Sequence, residues 1–240
     1  VVSGDPSDRR SIITAASIPA KKLGIKTADP VSMALRKCPG LVIVKGDWEW
    51  YRICSRGFIE ICRSYSPVLQ QFSIDECFID MTMRNWGEDP TAVAARLKDE
   101  IKEKLGFTVN VGIGSNKLLA KMAGDFEKPN KVHTLFPEEM ESKMWVLPVR
   151  DLFLVGSATE KKLKMMGIYT IGQLAKADVH LLRHRLGKHG ETIWHFANGR
   201  NADAVTPEPA ENKGYGNSTT TARDVISREE AAQVFLSLCE

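Results

Sequence analysis

Residues 72–80 read Phe72-Ser73-Ile74-Asp75-Glu76-Cys77-Phe78-Ile79-Asp80, two adjacent carboxylates inside an otherwise apolar strand pair running from about Phe72 to Met81. Neighbouring residues of a regular strand point to opposite faces, so one of the two acids is directed at the core. An unpaired buried carboxylate is costly. Three arrangements relieve that cost: a partner cation, a bound metal, or a local turn that swings both acids outward. Hard divalent ions such as Mg²⁺ take few carboxylates and complete their shell with substrate phosphate oxygens. An ion-paired structural carboxylate fits the same residues.

Working outward, Trp50, Ile53, Phe58 and Ile61 predict a helix leading into the strand pair. On the far side, Asp89-Pro90 caps a helix whose apolar face is Val93, Leu97, Ile101 and Leu105, with Gly106 as its stop. Phe107 to Ile113 reads as a strand, Ser115 as the cap of a helix running to Phe126, and Lys131 to Leu135 as a last strand. The order over 48–136 is helix, strand pair, helix, strand, helix, strand. It suits a two-layer α+β unit with helices on one face, the ferredoxin-like plan with one strand lacking at its front.

Residues 1–47 alternate short elements. Ile12 to Thr14 reads as a strand, and Ile18 to Leu23 as a helix with Pro19 in its first turn and Gly24 as its stop. Val31 to Arg36 reads as a second helix, and Leu41 to Val44 as a buried, fully apolar strand. Residues 137–203 read as all helical, with short connections at Val155-Gly156-Ser157, Met166-Gly167-Ile168 and Leu186-Gly187. A polar, Pro-containing stretch from Asn201 to Lys213 is expected to link domains. Tyr215 to Glu240 offers one strand and one helix, too little to bury a core of its own.

The 240 residues are 43% hydrophobic and 26% charged, the make-up of an ordinary globular protein with one large domain or two small ones. No stretch approaches the roughly 18 apolar residues of a membrane span. The opening Val-Val-Ser-Gly-Asp-Pro reads as a strand entering a turn rather than a signal, and without an initiator Met Val1 is not expected to be a natural start. Five cysteines without a Cys-x-x-Cys pair predict free thiols in a reducing compartment, hence a cytoplasmic protein, and the five histidines lack zinc-like spacing. The net charge of +3 hides an asymmetry: residues 161–200 hold eight cations against Asp178 and Glu191. Such a segment suits either a polyanion partner or a solvated charged face.

A second informative run is Val111 to Asn130. Lys117 and Lys121 lie four apart on one helical face, opposite Leu118, Leu119, Met122 and Phe126, and Lys128 follows just beyond, before Pro129. Gly112 and Gly114 precede this helix, but the full Gly-x-Gly-x-x-Gly of a dinucleotide site is absent. Lysines near a carboxylate-bound metal would instead neutralise a triphosphate.

Together these runs resemble the Y-family (lesion-bypass) DNA polymerases, and within them the bacterial DNA polymerase IV and UV-repair branch. The residues from Ser73 to Asp80 are similar to the palm motif, Gly112 to Asn130 to the second palm motif, and Ser17 to Thr27 to the fingers helix. Leu147 to Leu152 and Leu163 to Leu174 look like the thumb with its helix-hairpin-helix. The resemblance runs in family order from residue 1 to about residue 230. It implies an α+β multidomain fold: fingers over 1–47, a ferredoxin-like palm with an incomplete sheet over 48–136, a helical thumb over 137–203, a linker over 204–213 and the start of a little finger over 214–240.

By the same resemblance, Asp75 and Glu76 are catalytic metal ligands for two Mg²⁺ ions. Lys128 and Lys21 reach the triphosphate of the incoming nucleotide. Thr14 and Ala15 lie on the strand covering the nascent base pair, where small residues leave room for a damaged template base. Backbone N–H groups of Val155, Gly156 and Ser157 grip duplex phosphates, and Lys161 and Lys164 add salt-dependent affinity. Lys117 and Lys121 take a structural or backbone-contacting role, and Asp80 pairs within the sheet. Two positions depart from the family pattern: Leu154 stands where the hairpin commonly has its first Gly, and Ile18 where a phosphate-bonding Tyr is frequent.

The implied function is template-directed DNA synthesis of the translesion type, transferring deoxynucleotides to a primer 3′ end by two-metal catalysis. The implied partners are primer–template DNA, deoxynucleoside triphosphates and, for the full-length protein, a sliding clamp; no membrane is involved and a monomer is expected. The family's palm begins with a strand carrying a further metal-binding Asp and an aromatic residue that excludes ribonucleotides. That strand is not among these 240 residues, nor is most of the little finger, so impaired catalysis by the chain is expected. The alternative is a non-catalytic DNA-binding module on the same scaffold. A helix-hairpin-helix nuclease or glycosylase lacks a fitting constellation upstream of residue 147.

Overall fold

A computed structural model describes residues 1–4, 11–82, 87–208, 213–221 and 223–239. The chain forms two compact units, Val1–Pro207 and Glu208–Glu240. The first unit opens with a three-stranded sheet. In it β1 (Val2–Ser3) lies between antiparallel β2 (Ile13–Ala15) and parallel β3 (Val44–Lys45). Helices α1 (Ile18–Lys22) and α2 (Val31–Lys37) close a small core of Ile13, Ala20, Ile25, Val31 and Ala34. Lys37 braces the loop between them, donating to the Gly24 carbonyl and to Asp29, each at 2.7 Å. The buried strand expected over Leu41 to Val44 is not formed. Only Val44 and Lys45 pair, at the sheet edge, and Val42 and Val44 are 74% and 56% exposed.

Helix α3 (Trp48–Tyr65) starts on Asp47, whose carboxylate accepts the Trp50 N–H at 3.0 Å. It buries Phe58, Ile59 and Cys62 against the antiparallel hairpin of β4 (Leu69–Gln71) and β5 (Cys77–Ile79). Helix α4 (Pro90–Leu105) completes this core with Leu97 and Ile101. Asp89 caps its start and Gly106, at φ +77°, its end, as the sequence predicts. Then β6 (Val111–Gly114), α5 (Lys117–Asp125) and β7 (Val132–Leu135) form a parallel crossover. The strand expected from Phe107 is ordered into the ladder only from Val111, and the helix cap is Asn116, not Ser115. Asn116 accepts the Leu119 N–H at 2.9 Å and donates to the Gly199 carbonyl at 2.9 Å.

Among the described residues the β4–β5 hairpin and the β6–β7 pair share no ladder, so the expected ferredoxin-like sheet is present as two separate two-stranded pieces. What unites the β6–β7 half with the rest is its helix. Leu118, Leu119, Met122 and Ala123 of α5 enter one continuous core with α6 (Met140–Lys143), α7 (Ser157–Met165), α8 (Ile171–Ala175), α9 (Val179–Leu186) and α10 (Lys188–Ala197). That core crosses the expected palm–thumb boundary at residue 136. The α5–β6 contact is backbone on backbone: a Cβ on Gly112 would stand 2.0 Å from the Ala120 carbonyl oxygen and 2.4 Å from the Gly124 nitrogen.

The second unit holds α11 (Arg228–Cys239), with no buried residue. The strand expected beside it is absent among the described residues, and Tyr215 and Ile226 are 91% and 85% exposed. A lone strand has no ladder partner and no face to cover.

Gly112→Ala is expected to destabilise the first unit by about 3 kcal/mol or more, since both clashing groups are backbone. In Gly124→Ala the added methyl would meet Gly112 only at 3.6 Å. That variant is expected to range from neutral to about 1 kcal/mol more stable through helix propensity. Urea denaturation of the two variants checks the contrast.

Candidate active site

The two carboxylates stand on the turn that joins β4 to β5, not within a strand. The N–H groups of Phe72 and Ser73 both donate to the Glu76 carbonyl, at 2.9 and 3.1 Å. The Ser73 hydroxyl donates to the Asp75 carboxylate at 2.6 Å and receives the Asp75 N–H at 3.3 Å. Ser55 of α3 steadies the turn from behind by donating to the Ile74 carbonyl. Asp75 is exposed and Glu76 half-buried. Behind the turn the neighbouring Cys77 thiol, together with burial, pushes the Cys62 thiol well up, so it stays protonated. All five cysteines are free.

Glu76 also has the cation that sequence reasoning left open. Lys121 of α5 donates to it at 2.5 Å and lies 3.4 Å from Asp125, one helical turn on. Asp125 in turn pairs with Lys128 at 2.7 Å. A chain of alternating charge thus runs from Glu76 through Lys121 and Asp125 to Lys128. Burial draws the Lys121 pKa down, but the Glu76 hydrogen bond and the neighbouring charges outweigh it, and the net position is above the ordinary lysine value. Lys117 donates to Gln70 of β4 at 3.1 Å and sits 5.8 Å from the Phe78 ring centroid. Asp80 is structural: it accepts the Thr82 hydroxyl at 2.6 Å and N–H at 2.8 Å, which hold its carboxyl below the usual range.

Aromatic contacts carry the turn toward a second feature. Phe72 packs edge-on against Phe153 at 6.3 Å, and Phe153 stacks on Phe196 at 6.2 Å. Phe153 opens the hairpin before α7, where Leu154 adopts φ +71°. A glycine takes that left-handed conformation freely; a leucine there is strained by about 1–2 kcal/mol. Gly156 then caps α7 without a side-chain bond, which leaves the N–H groups of Gly156 and Ser157 without protein acceptors among the described residues.

The sequence signature described as the impB/mucB/samB family matches residues 1–125, more than half of the chain. The chain belongs to that family, the Y-family of DNA polymerases. Residues 150–201 match a signature described as the thumb domain of DNA polymerase-iota. DNA polymerase IV of Clostridium acetobutylicum is 39% identical over 240 residues, spanning 100% of this chain and 61% of that protein. DNA polymerase IV 1 of Bacillus subtilis is 37% identical, spanning 99% of this chain and 58% of its own length. The chain therefore spans about three fifths of these curated relatives. Among solved structures, DinB from Sulfolobus solfataricus superposes with a TM-score of 0.78 at 26% identity, over 85% of this chain and 61% of that one. An insertion ternary complex of Dbh DNA polymerase shares the fold, with a TM-score of 0.76 at 24% identity over 85% of this chain and 61% of that one.

Of the expected site residues, Glu76 is tied to α5 through Lys121 and Lys128 through Asp125, whereas Asp75 hydrogen-bonds Ser73 within the turn. Thr14, Ala15 and Lys21 are exposed on β2 and α1, and among the described residues no hydrogen bond or ion pair joins them to the carboxylate turn. Val155 requires a correction: its N–H is already engaged by the Leu152 carbonyl at 2.9 Å, so only Gly156 and Ser157 keep donors for a phosphate. Lys161 is exposed, whereas Lys164 is paired with Glu160 at 2.8 Å. Two members of the basic segment lie over indole rings while staying exposed, Lys176 over Trp145 and Arg200 over Trp194. Sequence reasoning gave Lys121 a structural or backbone-contacting role and Asp125 none. The i, i+4 spacing of this pair was visible; its meeting with Glu76 was not.

Two outcomes follow from this geometry. Lys121 titrates above its unfolded value, so its tie contributes fully below the ordinary lysine pKa and is lost as pH rises through the raised one. Lys121→Met is expected to flatten the alkaline fall in stability, read by urea denaturation across that range. Leu154→Gly is expected to raise stability by about 0.5–1 kcal/mol by relieving the left-handed strain, seen as a higher denaturation midpoint.

Proposed function

We propose that the protein is a template-directed DNA polymerase of the translesion type, adding deoxynucleotides to a primer 3′ end at the Asp75–Glu76 turn. One observation carries this reading: two adjacent carboxylates are turned outward and held against a lysine-bearing helix, in a family whose curated relatives are named DNA polymerase IV. The donor set suits Mg²⁺, which is content with one or two carboxylates when substrate phosphates supply further oxygens. Asp75 and Glu76 would hold it, and the ion would supply charge neutralisation at the triphosphate and at the attacking 3′ oxygen.

The chain's own residues prepare that site. Lys121 keeps Glu76 in place and neutral in sum until a cation arrives, then has Asp125 to fall back on. Lys128, 58% exposed at its side chain, exchanges Asp125 for a triphosphate oxygen. Lys21 serves the same phosphates from α1, and Thr14 and Ala15 present small side chains to the nascent base pair. Duplex phosphates dock on the free N–H groups of Gly156 and Ser157, with Lys161 and Lys164 adding charge. In this reading the fingers are 1–47, the palm 48–136, the thumb 137–203, the linker 204–213 and the start of the little finger 214–240.

In the full-length protein Asp75→Ala is expected to lower primer extension by at least on the order of 10³-fold while primer–template binding stays within about twofold. Extension assays with Mg²⁺ and four deoxynucleotides, beside anisotropy on the same DNA, test this. Retained extension in the variant contradicts the reading. Lys128→Ala is expected to raise the KM for deoxynucleotides.

A further inference from the structure

A groove of about 440 Å³ lies beside the carboxylate turn and outside it, lined by Glu49, Arg52, Ser55, Arg56, Gln71 and Ile74. Its floor is the Ser55–Ile74 hydrogen bond, so it backs directly on the residue before Asp75. Arg52 and Arg56 stand one turn apart on the same face of α3. Arg52 meets Glu49 at 2.5 Å, but both side chains are about two-thirds exposed, at 69% and 65%, and such a pair is weak and readily exchanged. Arg56 is exposed and has no ion-pair partner among the described residues. Two guanidinium forks around an open groove match the oxygens of a phosphodiester.

The first turn of the same helix adds a second, independent feature. Trp48 and Trp50 expose 63% and 58% of their surface. Trp48 rests edge-on against Tyr51 at 5.8 Å. A small anion would use the arginines alone, and a duplex keeps its base faces stacked inside. Trp48 stands one turn before Arg52 on the same helical stripe, and an exposed indole beside such arginines instead suits a strand whose bases are unpaired, phosphates on the cations and a base on the ring.

We propose that the amino-terminal half of α3 and its groove bind single-stranded DNA, with phosphates on Arg52 and Arg56 and a base on Trp48. The strand is thereby led past the Asp75–Glu76 turn. That this strand is the unpaired template rests on the polymerase reading; the binding itself does not.

The test compares a labelled single-stranded oligodeoxynucleotide with a blunt duplex by fluorescence anisotropy over a range of salt, alongside tryptophan quenching. The unaltered protein is expected to bind the single strand with quenching. Trp48→Ala is expected to weaken that binding about tenfold, and Trp48→Phe to restore most of it by returning a ring. Arg56→Gln is expected to reduce the salt slope by about 1. Blunt-duplex affinity should be unchanged in all three. Unaltered single-strand affinity and slope in Trp48→Ala and Arg56→Gln overturn the proposal. Equal losses on the duplex also overturn it, by assigning the groove to paired DNA. Single-strand binding without primer extension by the full-length protein would contradict the polymerase reading and leave this one standing.

Discussion

Everything around the carboxylate turn depends on how closely α5 lies on β6. Gly112 and Gly114 have no Cβ, and the space a Cβ would fill is occupied by the backbone of Ala120, Leu119 and Gly124. That approach sinks Leu118, Leu119 and Met122 into the core shared with the helices of residues 140–197. The opposite face of α5 is then fixed in space, and it carries Lys117 and Lys121 to Gln70 and Glu76 on the other strand pair. Two sheets that share no ladder are thus joined by lysines whose placement rests on two glycines.

The same arrangement explains how two acids tolerate being neighbours in an apolar hairpin. The turn moves both out of the strand, so neither is driven into the core, and Lys121 compensates the one that remains half-buried. The raised Lys121 pKa is the signature of that compensation. A site of this kind is preorganised without being locked, since each ion pair in the chain from Glu76 to Lys128 can exchange partners as a cation or a phosphate arrives. The Leu154 strain is a second case of a local cost retained in the fold: the hairpin before α7 keeps its left-handed residue although the side chain there disfavours it.

How much of this could be read from residues alone divides along sequence distance. Asp89, Gly106 and the apolar face of Val93, Leu97 and Ile101 act within a few residues, and their helix is where the pattern puts it. The paired acids were legible as an anomaly, and the outward turn was one of three open solutions. The Glu76–Lys121 bond spans 45 residues and has no local sign. Asn116 displaced Ser115 as a cap because its longer amide also reaches Gly199, 83 residues away. Leu41 to Val44 looked buried because it is apolar, but only its end finds a partner strand, and apolarity does not set which side of a sheet is covered. The motif resemblance singled out Lys128, which pairs with Asp125 at the end of α5, yet it assigned the Val155 N–H a role that the Leu152 carbonyl already fills.

The central claim is that Asp75 and Glu76 together form a divalent-cation site completed by a nucleotide. It is tested most directly by electron paramagnetic resonance of Mn²⁺ with a deoxynucleoside triphosphate present. The account predicts a protein-bound signal that is lost in Asp75→Asn and in Glu76→Gln but kept in Asp80→Asn, whose carboxylate is engaged by Thr82. Equal Mn²⁺ binding by all three variants would contradict it and return the turn to a purely structural role.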